Sequence, residues 1–200
     1  MPSVAISLLQ EFDDLFPDDI PGGLPSFRGI KHQINFILGA SIPNRPAYKS
    51  NPKEMKKLQR QVGELMENGY IRKSMSPCVV PVLLVPKKDE TWRMCVNCQV
   101  INNMTVKYRH LIPRLDDILD ELHRSCIYSK IDLKSGYHHI KMKEGNEWKT
   151  TFKTKHGLHK WLVMSFGLTN TPSTFMCLIN HVLRSEKLYA NLRKCTFGIE

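Results

Sequence analysis

The stretch at 128–140 holds the residues whose types and spacing are best suited to chemistry. Asp132 ends a short strand-like run, Ser135 and Gly136 form a turn after it, and Tyr137 stands five residues beyond the aspartate. A carboxylate at the end of a strand, beside a tight turn with free backbone N–H groups, can hold Mg²⁺ next to a triphosphate. The spacing therefore predicts a metal–nucleotide site here.

Two other segments could contact a nucleotide or a nucleic acid. Lys87 and Lys88 stand at the predicted tip of a β-hairpin and Arg93 lies just inside it, so together they could reach one phosphate chain. Basic hairpin tips are common, so this pattern alone is weak. The other segment, at 166–175, is a turn marked by glycine and proline that leads into a helix.

A helix and a strand pair are predicted ahead of these segments. The helix starts at Asn51, with Pro52 at its first position and Glu54 three residues after the cap, and it ends at 68–69. The apolar run at 79–85 and the returning segment at 92–96 form a hairpin. Pro81 predicts an edge position for the first strand, because proline cannot donate to a neighbouring strand.

A second helix is predicted after Pro113, with apolar residues at helical spacing. Four carboxylates lie between them: Asp116, Asp117, Asp120 and Glu121. They could form a metal site, but the solvent face of an amphipathic helix is the stronger interpretation.

The distribution of charge favours a polyanionic partner. Residues 1–40 hold two basic and five acidic side chains, whereas residues 41–200 hold 27 basic and 14 acidic ones, a net charge of +13. Nucleic acid is the simplest such partner, and a lysine-rich solvated surface is the alternative. No apolar run approaches the length of a membrane span, the first residues do not resemble a secretory signal, and the scattered cysteines suit a reducing, intracellular setting.

Three strings in this order, VPKKDETWRMCVN, YSKIDLKSGYHHI and SFGLTNTPSTF, resemble the successive polymerase motifs of gypsy-type LTR retrotransposon reverse transcriptases. The resemblance implies an α+β fold with the fingers and an incomplete palm of a right-hand polymerase. It implies an extended proline-rich arm at 1–47, mainly fingers at 48–125, partial palm at 126–184 and a downstream remnant at 185–200.

The resemblance also implies roles for single residues. Asp132 and the Leu133 backbone carbonyl match metal ligands for Mg²⁺ or Mn²⁺. The residues that match nucleotide-binding positions are Lys87, Arg93, Ser135, Gly136, Tyr137 and Phe166, where Tyr137 matches the aromatic gate that selects deoxynucleotides. Gly167 and Pro172 match the turn that supports template and primer. The implied partners are an RNA or DNA template-primer and deoxynucleotides, in the cytoplasm or nucleus, with no membrane and no zinc.

The chain departs from the family pattern most clearly after Asp132. The family places a tyrosine-x-Asp-Asp hairpin roughly 25 residues beyond the position of Pro172, but Asp132 is the last aspartate of this chain. Since the segment at 186–197 resembles a region beyond that hairpin, an internal deletion near Arg184 is the simplest account. The thumb and RNase H regions are also missing from the sequence.

Two consequences are expected from this departure. Catalysis by two metal ions should fail, and the strand before Asp132 should have an unpaired, aggregation-prone edge. Smaller departures from the family are Glu90, Asn97, Gln99 and Ser165. The sequence leaves open a catalytically inactive reverse transcriptase domain, a residual nucleic-acid-binding module, and a transposon relic without function. A zinc site at Cys95 and Cys98 is not expected, because residues three apart on a strand point to opposite faces.

Overall fold

The computed structural model describes residues 22–86, 92–108, 114, 116, 120, 123, 127–130, 133, 135–182 and 196–199. The chain divides into two compact units. The larger unit comprises Gly22–His110 and Tyr137–Ile179, and the smaller unit comprises Met1–Pro21, Leu111–Gly136 and Asn180–Glu200.

The chain combines helices with a mainly antiparallel sheet, in agreement with the predicted α+β class. The strands are β1 (Lys31–His32), β2 (Ile71–Lys73), β3 (Val80–Pro86), β4 (Trp92–Val96), β5 (Ile127–Lys130), β6 (Lys141–Met142), β7 (Phe152–Thr154), β8 (Gly157–Trp161) and β9 (Thr196–Ile199). The α-helices are α1 (Pro52–Glu67), α2 (Gln99–Met104) and α3 (Thr171–Val182). Short 3₁₀ helices cover Gly136–His139 and Glu147–Thr150.

Helix α1 begins where the local sequence predicts. The Asn51 side chain accepts a hydrogen bond from the Glu54 backbone N–H at 2.8 Å, and the Glu54 carboxylate accepts one from the Asn51 N–H at 3.0 Å. This reciprocal capping box satisfies two N–H groups that a helix start otherwise leaves unpaired. The apolar face buries Leu58 and Val62, so the predicted helix is confirmed.

The larger unit is built on a five-stranded sheet of order β2-β8-β7-β3-β4. Strand β3 pairs in parallel with β7 and antiparallel with β4, so the hairpin prediction is confirmed. The predicted edge position of β3 is wrong, because β3 lies between two strands. Pro81 is tolerated there because β3 pairs with β7 at Val80 and Pro81 and with β4 only from Val82 onward. The proline therefore stands where the chain changes partners, and its carbonyl accepts from the Asn97 N–H at 3.0 Å.

The core of the larger unit is formed by apolar side chains of the sheet, α1 and α2 that pack together. Its most deeply buried apolar residues are at most 1% exposed and come from separate parts of the chain: Ile34, Ile71, Val80, Ile101 and Phe152. Burial of such side chains stabilises the fold by about 1.5–3 kcal/mol each. No helix in the described part of the chain is long and apolar enough to cross a membrane.

In the smaller unit, β5 pairs antiparallel with β9 along four residues, from Ile127 opposite Ile199 to Lys130 opposite Thr196. The strand before Asp132 was expected to lack a partner on the edge left by the missing hairpin. That expectation is wrong for the edge next to β9, because the downstream segment itself supplies a strand. Of the four carboxylates predicted on a solvent face, Asp116 and Asp120 are helical and exposed, and the other two lie outside the described residues.

Candidate functional site

Tyr137 lies within a group of aromatic side chains in the larger unit. It belongs to the 3₁₀ helix Gly136–His139. Its ring centroid lies 4.7 Å from that of Phe166 in a tilted arrangement and 5.1 Å from that of Phe175 at a near-perpendicular angle. These geometries are favourable for aromatic pairs and fix the orientation of the tyrosine ring. Phe166 is 54% exposed, so one face of this aromatic group is open to solvent.

The turn that presents Phe166 is held by α2. The Asn102 side-chain N–H donates to the Gly167 carbonyl at 2.8 Å, and its side-chain oxygen accepts from the Thr169 N–H at 2.8 Å. Gly167 has a φ of +90°, a conformation that L side chains rarely adopt. A Cβ there would lie 3.6 Å from the Cys98 sulfur and the Val96 carbonyl oxygen, an ordinary contact. The backbone conformation, not lack of space, is therefore what requires glycine.

Asn170 fastens the other end of this turn. It is 2% exposed. Its side-chain N–H donates to the Val106 carbonyl at 2.8 Å, and its side-chain oxygen accepts from the Tyr108 N–H at 3.0 Å. The sequence prediction missed both Asn170 and Asn102. The only sequence signal was that short polar residues flank a glycine turn, which is too common to single them out.

The turn continues into α3, as predicted. Thr171 is the first residue of the helix and Pro172 the second. The missing proline N–H costs little there, because the first N–H groups of a helix have no acceptor within it. The Thr171 hydroxyl donates to the Ser165 carbonyl at 3.2 Å. Ser165, which stands where the family usually has proline, is 2% exposed.

The ring of His138 packs among aromatic side chains next to Phe166. The His138 ring is 5.3 Å from Trp161, 5.1 Å from Tyr70 and 5.6 Å from Phe166. Burial, with a smaller contribution from His139, lowers the pKa of His138 to about 4. His138 is therefore neutral at pH 7 and serves as a packing residue.

His32 was not predicted as a feature of the site. It is 1% exposed, and its Nδ1 lies 2.9 Å from the Thr174 hydroxyl on α3. Burial lowers the pKa of His32 to about 4. A neutral imidazole thus ties β1 to the first turns of the helix that follows the Phe166 turn.

Arg93 lies exposed in β4, an outer strand of the sheet. The Gln61 side chain on α1 donates to the Trp92 carbonyl at 2.7 Å and accepts from the Met94 N–H at 3.0 Å. The Lys57 ammonium lies 4.6 Å from the centroid of the Trp92 ring, a favourable cation–π distance. The residues on both sides of Arg93 are thus fixed by one amide side chain, which acts as a partner for the unpaired strand edge.

The other predicted residues are described only in part. Ser135 has a φ of +47°, the one positive φ among the described non-glycine residues, and Gly136 starts the 3₁₀ helix. A positive φ at a serine is energetically unfavourable, and such conformations are concentrated at functional sites. Leu133 forms an isolated bridge. Asp132 and Lys87 lie outside the described residues. Among the described ones, the structure brings Tyr137 together with the turn that contains Phe166, Gly167 and Pro172.

The carboxylates that the structure describes do not come together as a metal site. Within the described residues there is no group of three His, Cys, Asp or Glu side chains that could hold a metal ion. After Asp132 the chain has four glutamates and no aspartate. Glu144 is exposed and pairs with Lys31 at 2.8 Å, and the hydrogen bond from Lys31 lowers its pKa. Glu147 lies in the 3₁₀ helix Glu147–Thr150, and Glu186 and Glu200 lie outside the described residues.

Comparisons with known proteins show which protein family this chain resembles. The family model described as reverse transcriptase (RNA-dependent DNA polymerase) matches residues 85–198. The retrovirus-related Pol polyprotein from transposon 297 of Drosophila melanogaster is 35% identical over 160 residues, which are 78% of this chain and 15% of the polyprotein. The transposon Tf2-3 polyprotein of Schizosaccharomyces pombe is 29% identical over 182 residues, which are 90% of this chain and 14% of that protein.

Solved structures show the same fold. The foamy viral protease-reverse transcriptase in complex with an RNA/DNA hybrid matches with a TM-score of 0.75 and 22% identity, covering 98% of this chain and 26% of that one. A prototype foamy virus protease-reverse transcriptase mutant matches with a TM-score of 0.75 and 21% identity, covering 94% and 26%. The predicted reverse-transcriptase-like fold is confirmed.

The chain thus spans a small part, 14–15%, of these transposon polyproteins. The family model covers more than half of the chain and includes the Tyr137 and Phe166 segments. The chain therefore belongs to the reverse transcriptase (RNA-dependent DNA polymerase) family.

Proposed function

We propose that the chain is the reverse transcriptase domain of a gypsy-type LTR retrotransposon, and that it binds nucleic acid without polymerising deoxynucleotides. One contrast carries this proposal. The turn at 164–171 and the Tyr137–Phe166 pair form a surface whose backbone is fixed at both ends, whereas no aspartate follows Asp132. The chain keeps a nucleotide-facing surface and lacks the carboxylates that the chemistry needs.

The proposed roles follow the contacts. The Tyr137 ring, fixed by Phe166 and Phe175, lies under the sugar of an incoming deoxynucleotide and leaves no room for a 2′-hydroxyl. The exposed guanidinium of Arg93, together with Lys87, binds phosphates. The backbone amides of Ser135 and Gly136 hold the triphosphate, since consecutive N–H groups in a tight turn form an anion-binding concavity.

The proposed partner is an RNA or DNA template-primer. The turn formed by Gly167 and Pro172 would lie against template and primer, because it presents the exposed Phe166 ring. The foamy viral reverse transcriptase of the same fold was solved with an RNA/DNA hybrid, which supports this choice of partner. A nucleic-acid partner of this kind favours the cytoplasm or the nucleus.

The loss of catalysis follows from the donor set. Divalent metal ions, Mg²⁺ or Mn²⁺, would activate the primer hydroxyl and stabilise the leaving pyrophosphate in a polymerase of this family. Two ions about 4 Å apart require carboxylates from separate strands. Asp132, with the Leu133 carbonyl, could contribute to one ion only. Losing several kcal/mol of transition-state stabilisation lowers the rate by several powers of ten, since each 1.36 kcal/mol is about tenfold.

The same resemblance assigns the regions of the chain. Residues 1–47 form the arm that precedes the polymerase, 48–125 mainly the fingers, 126–184 part of the palm, and 185–200 a segment from beyond the deleted hairpin. Limited proteolysis with mass spectrometry tests this assignment. Cleavage concentrated near residues 47 and 125 would support it, and cleavage within α1 would contradict it.

Primer extension tests the proposed function directly. The chain and its Asp132→Asn variant are supplied with an RNA template, a DNA primer, deoxynucleotides and Mg²⁺ or Mn²⁺. We expect no extension from either protein and binding of the template-primer by both in an electrophoretic mobility assay. Extension that disappears in Asp132→Asn would overturn the proposed inactivity. Absence of binding by folded protein would overturn the binding role and leave a relic without function.

A residual nucleic-acid-binding module is the second candidate, and the net charge of +13 over residues 41–200 favours it. The two candidates differ in what they bind. A polymerase-derived nucleotide site predicts that a deoxynucleotide raises the affinity for template-primer, whereas a purely electrostatic module predicts no such effect. Both predict that affinity falls steeply as salt rises, because binding releases counterions.

A further inference from the structure

Three strands of the larger unit carry basic side chains without any acidic ones. Strands β2, β7 and β8, with the turn that joins β7 to β8, contain five lysine or arginine residues and no Asp or Glu: Arg72, Lys73, Lys153, Lys155 and Lys160. This absence of acidic residues distinguishes them from α1, where Arg60 faces Glu64 at 3.6 Å.

The pleat of the sheet separates these residues by face. Ile71, Phe152, His159 and Trp161 point into the core and are at most 5% exposed. Neighbours along a strand point to opposite faces. The residues between and beside them therefore lie on the outer face, and they include Arg72, Lys153 and Lys160.

The strand register brings these three cations into one row. Arg72 lies directly opposite Lys160 in the β2–β8 pair. Lys153 lies opposite Leu158 in the β7–β8 pair, so it is the diagonal neighbour of Lys160. Directly opposite residues have Cβ atoms about 5 Å apart and diagonal neighbours about 7–8 Å apart. The row thus crosses three adjacent strands with close spacing.

Such a row opposes folding unless something compensates for it. Like charges directly opposite one another destabilise an antiparallel pair. In the described part of the chain, none of these three side chains makes a salt bridge. Arg72 is exposed to solvent and the two lysines are partly exposed. An unneutralised row of cations on a regular sheet is the arrangement expected of a surface that binds a polyanion.

We propose that the outer face of β2, β8 and β7, with Arg72, Lys160 and Lys153 at its centre, binds the phosphate backbone of a single nucleic-acid strand. This rests on the proposed nucleic-acid-binding function and names a second surface for it. The side chains known to share this face with the cations include Leu158 but no aromatic ring on β2, β7 or β8. The surface therefore has no platform for base stacking, and it binds phosphates without reading sequence.

The salt dependence of binding tests the proposal. A fluorescein-labelled 20-nucleotide oligo(dT) is titrated with the full chain at several salt concentrations, and log K is plotted against log of the salt concentration. The variant R72Q/K153Q/K160Q removes the three positive charges of this row. Each single-strand phosphate contact contributes about 0.7 to the slope, so we expect the slope to become less steep by about 2. A mixed-sequence oligonucleotide should give the same change.

A matched variant separates the position of the charges from their number. Lys49, Lys53 and Lys56 are exposed residues at or before the start of α1, so K49Q/K53Q/K56Q loses the same net charge elsewhere. We expect its slope to stay within about 0.5 of that of the unmodified chain. Equal losses in both variants would overturn the proposal, because total charge alone would then explain the binding.

Chemical footprinting of the unmodified chain covers the case in which the sheet variant fails to fold. Acetylation of lysines with and without saturating oligo(dT), followed by mass spectrometry, should show protection of Lys153 and Lys160 but not of Lys53. No protection of the two sheet lysines would overturn the proposal. Failure of the unmodified chain to bind any oligonucleotide would instead contradict the proposed function on which it rests.

Discussion

His32 makes the stability of the larger unit sensitive to mild acid. Its side chain is 1% exposed, it contacts the Thr174 hydroxyl at 2.9 Å, and burial lowers its pKa from 6.5 to about 4. The folded state therefore favours the neutral imidazole, while the unfolded chain takes up a proton near pH 6.5. The stability that His32 contributes is complete above pH 6.5 and is lost as the pH falls towards 4.

The magnitude follows from the two pKa values. Between pH 7.5 and pH 5.5 the unfolded imidazole becomes mostly protonated while the folded one stays neutral. The free energy of unfolding should thus fall by about 1.3 kcal/mol from this residue alone, and by about 3 kcal/mol once the pH is below both values. Unfolding in urea, followed by circular dichroism at pH 7.5 and 5.5, measures the total pH dependence, to which His138 also contributes because burial lowers its pKa as well.

The variant His32→Gln identifies the source of the effect. It removes the titrating group, so its free energy of unfolding should fall by about 1.3 kcal/mol less than that of the unmodified chain over the same pH interval. His156→Gln, which changes an exposed histidine in the turn between β7 and β8, should leave the pH dependence unchanged. If His32→Gln showed the full pH dependence, the buried neutral imidazole would not be its cause, and the reasoning would be refuted.

Three further substitutions test the contacts that hold the site. Gln61→Leu removes both hydrogen bonds to β4, so the free energy of unfolding should fall by about 1–2 kcal/mol and the Met94 amide should exchange faster, with Gln59→Leu as an exposed control. Asn102→Ala should cost about 2 kcal/mol in urea unfolding and Asn103→Ala, in the same helix, almost nothing; equal effects would contradict the role of Asn102. Gly167→Ala, at a φ of +90°, should cost about 1–2 kcal/mol and weaken template-primer binding, and an unchanged melting temperature would contradict the backbone argument.

The sequence predicted those features whose causes are local. Helix α1 follows from a capping box in which Asn51 and Glu54 are three residues apart, and the start of α3 follows from Pro172 after a glycine turn. The hairpin of β3 and β4 also joins segments that are neighbours in the chain. Each of these elements depends on residues that lie close together in the sequence, so the sequence pattern alone is enough to predict the element.

Features that depend on distant partners could not be predicted in this way. The partners of Asn102 are 65 and 67 residues away in the chain, and those of Asn170 are 62 and 64 residues away. Pro81 has no backbone N–H to donate to a neighbouring strand. Only the structure shows that β3 changes its pairing partner at this residue, from β7 to β4. The pairing of β5 with β9 likewise depends on which downstream segment remains in the chain.

The proposed binding surface and the proposed catalytic aspartate belong to different units of the chain, so one of them could be lost without the other. The hydrogen bonds that fix the Phe166 turn come from Asn102 and Asn170, which both belong to the larger unit. Asp132 belongs to the smaller unit, as do the residues on both sides of the proposed deletion near Arg184. A change confined to the smaller unit removes catalytic carboxylates without breaking any of those four hydrogen bonds. Nucleic-acid binding can therefore persist after polymerisation is lost, and it should be weakened by Asn102→Ala but not by Asp132→Asn.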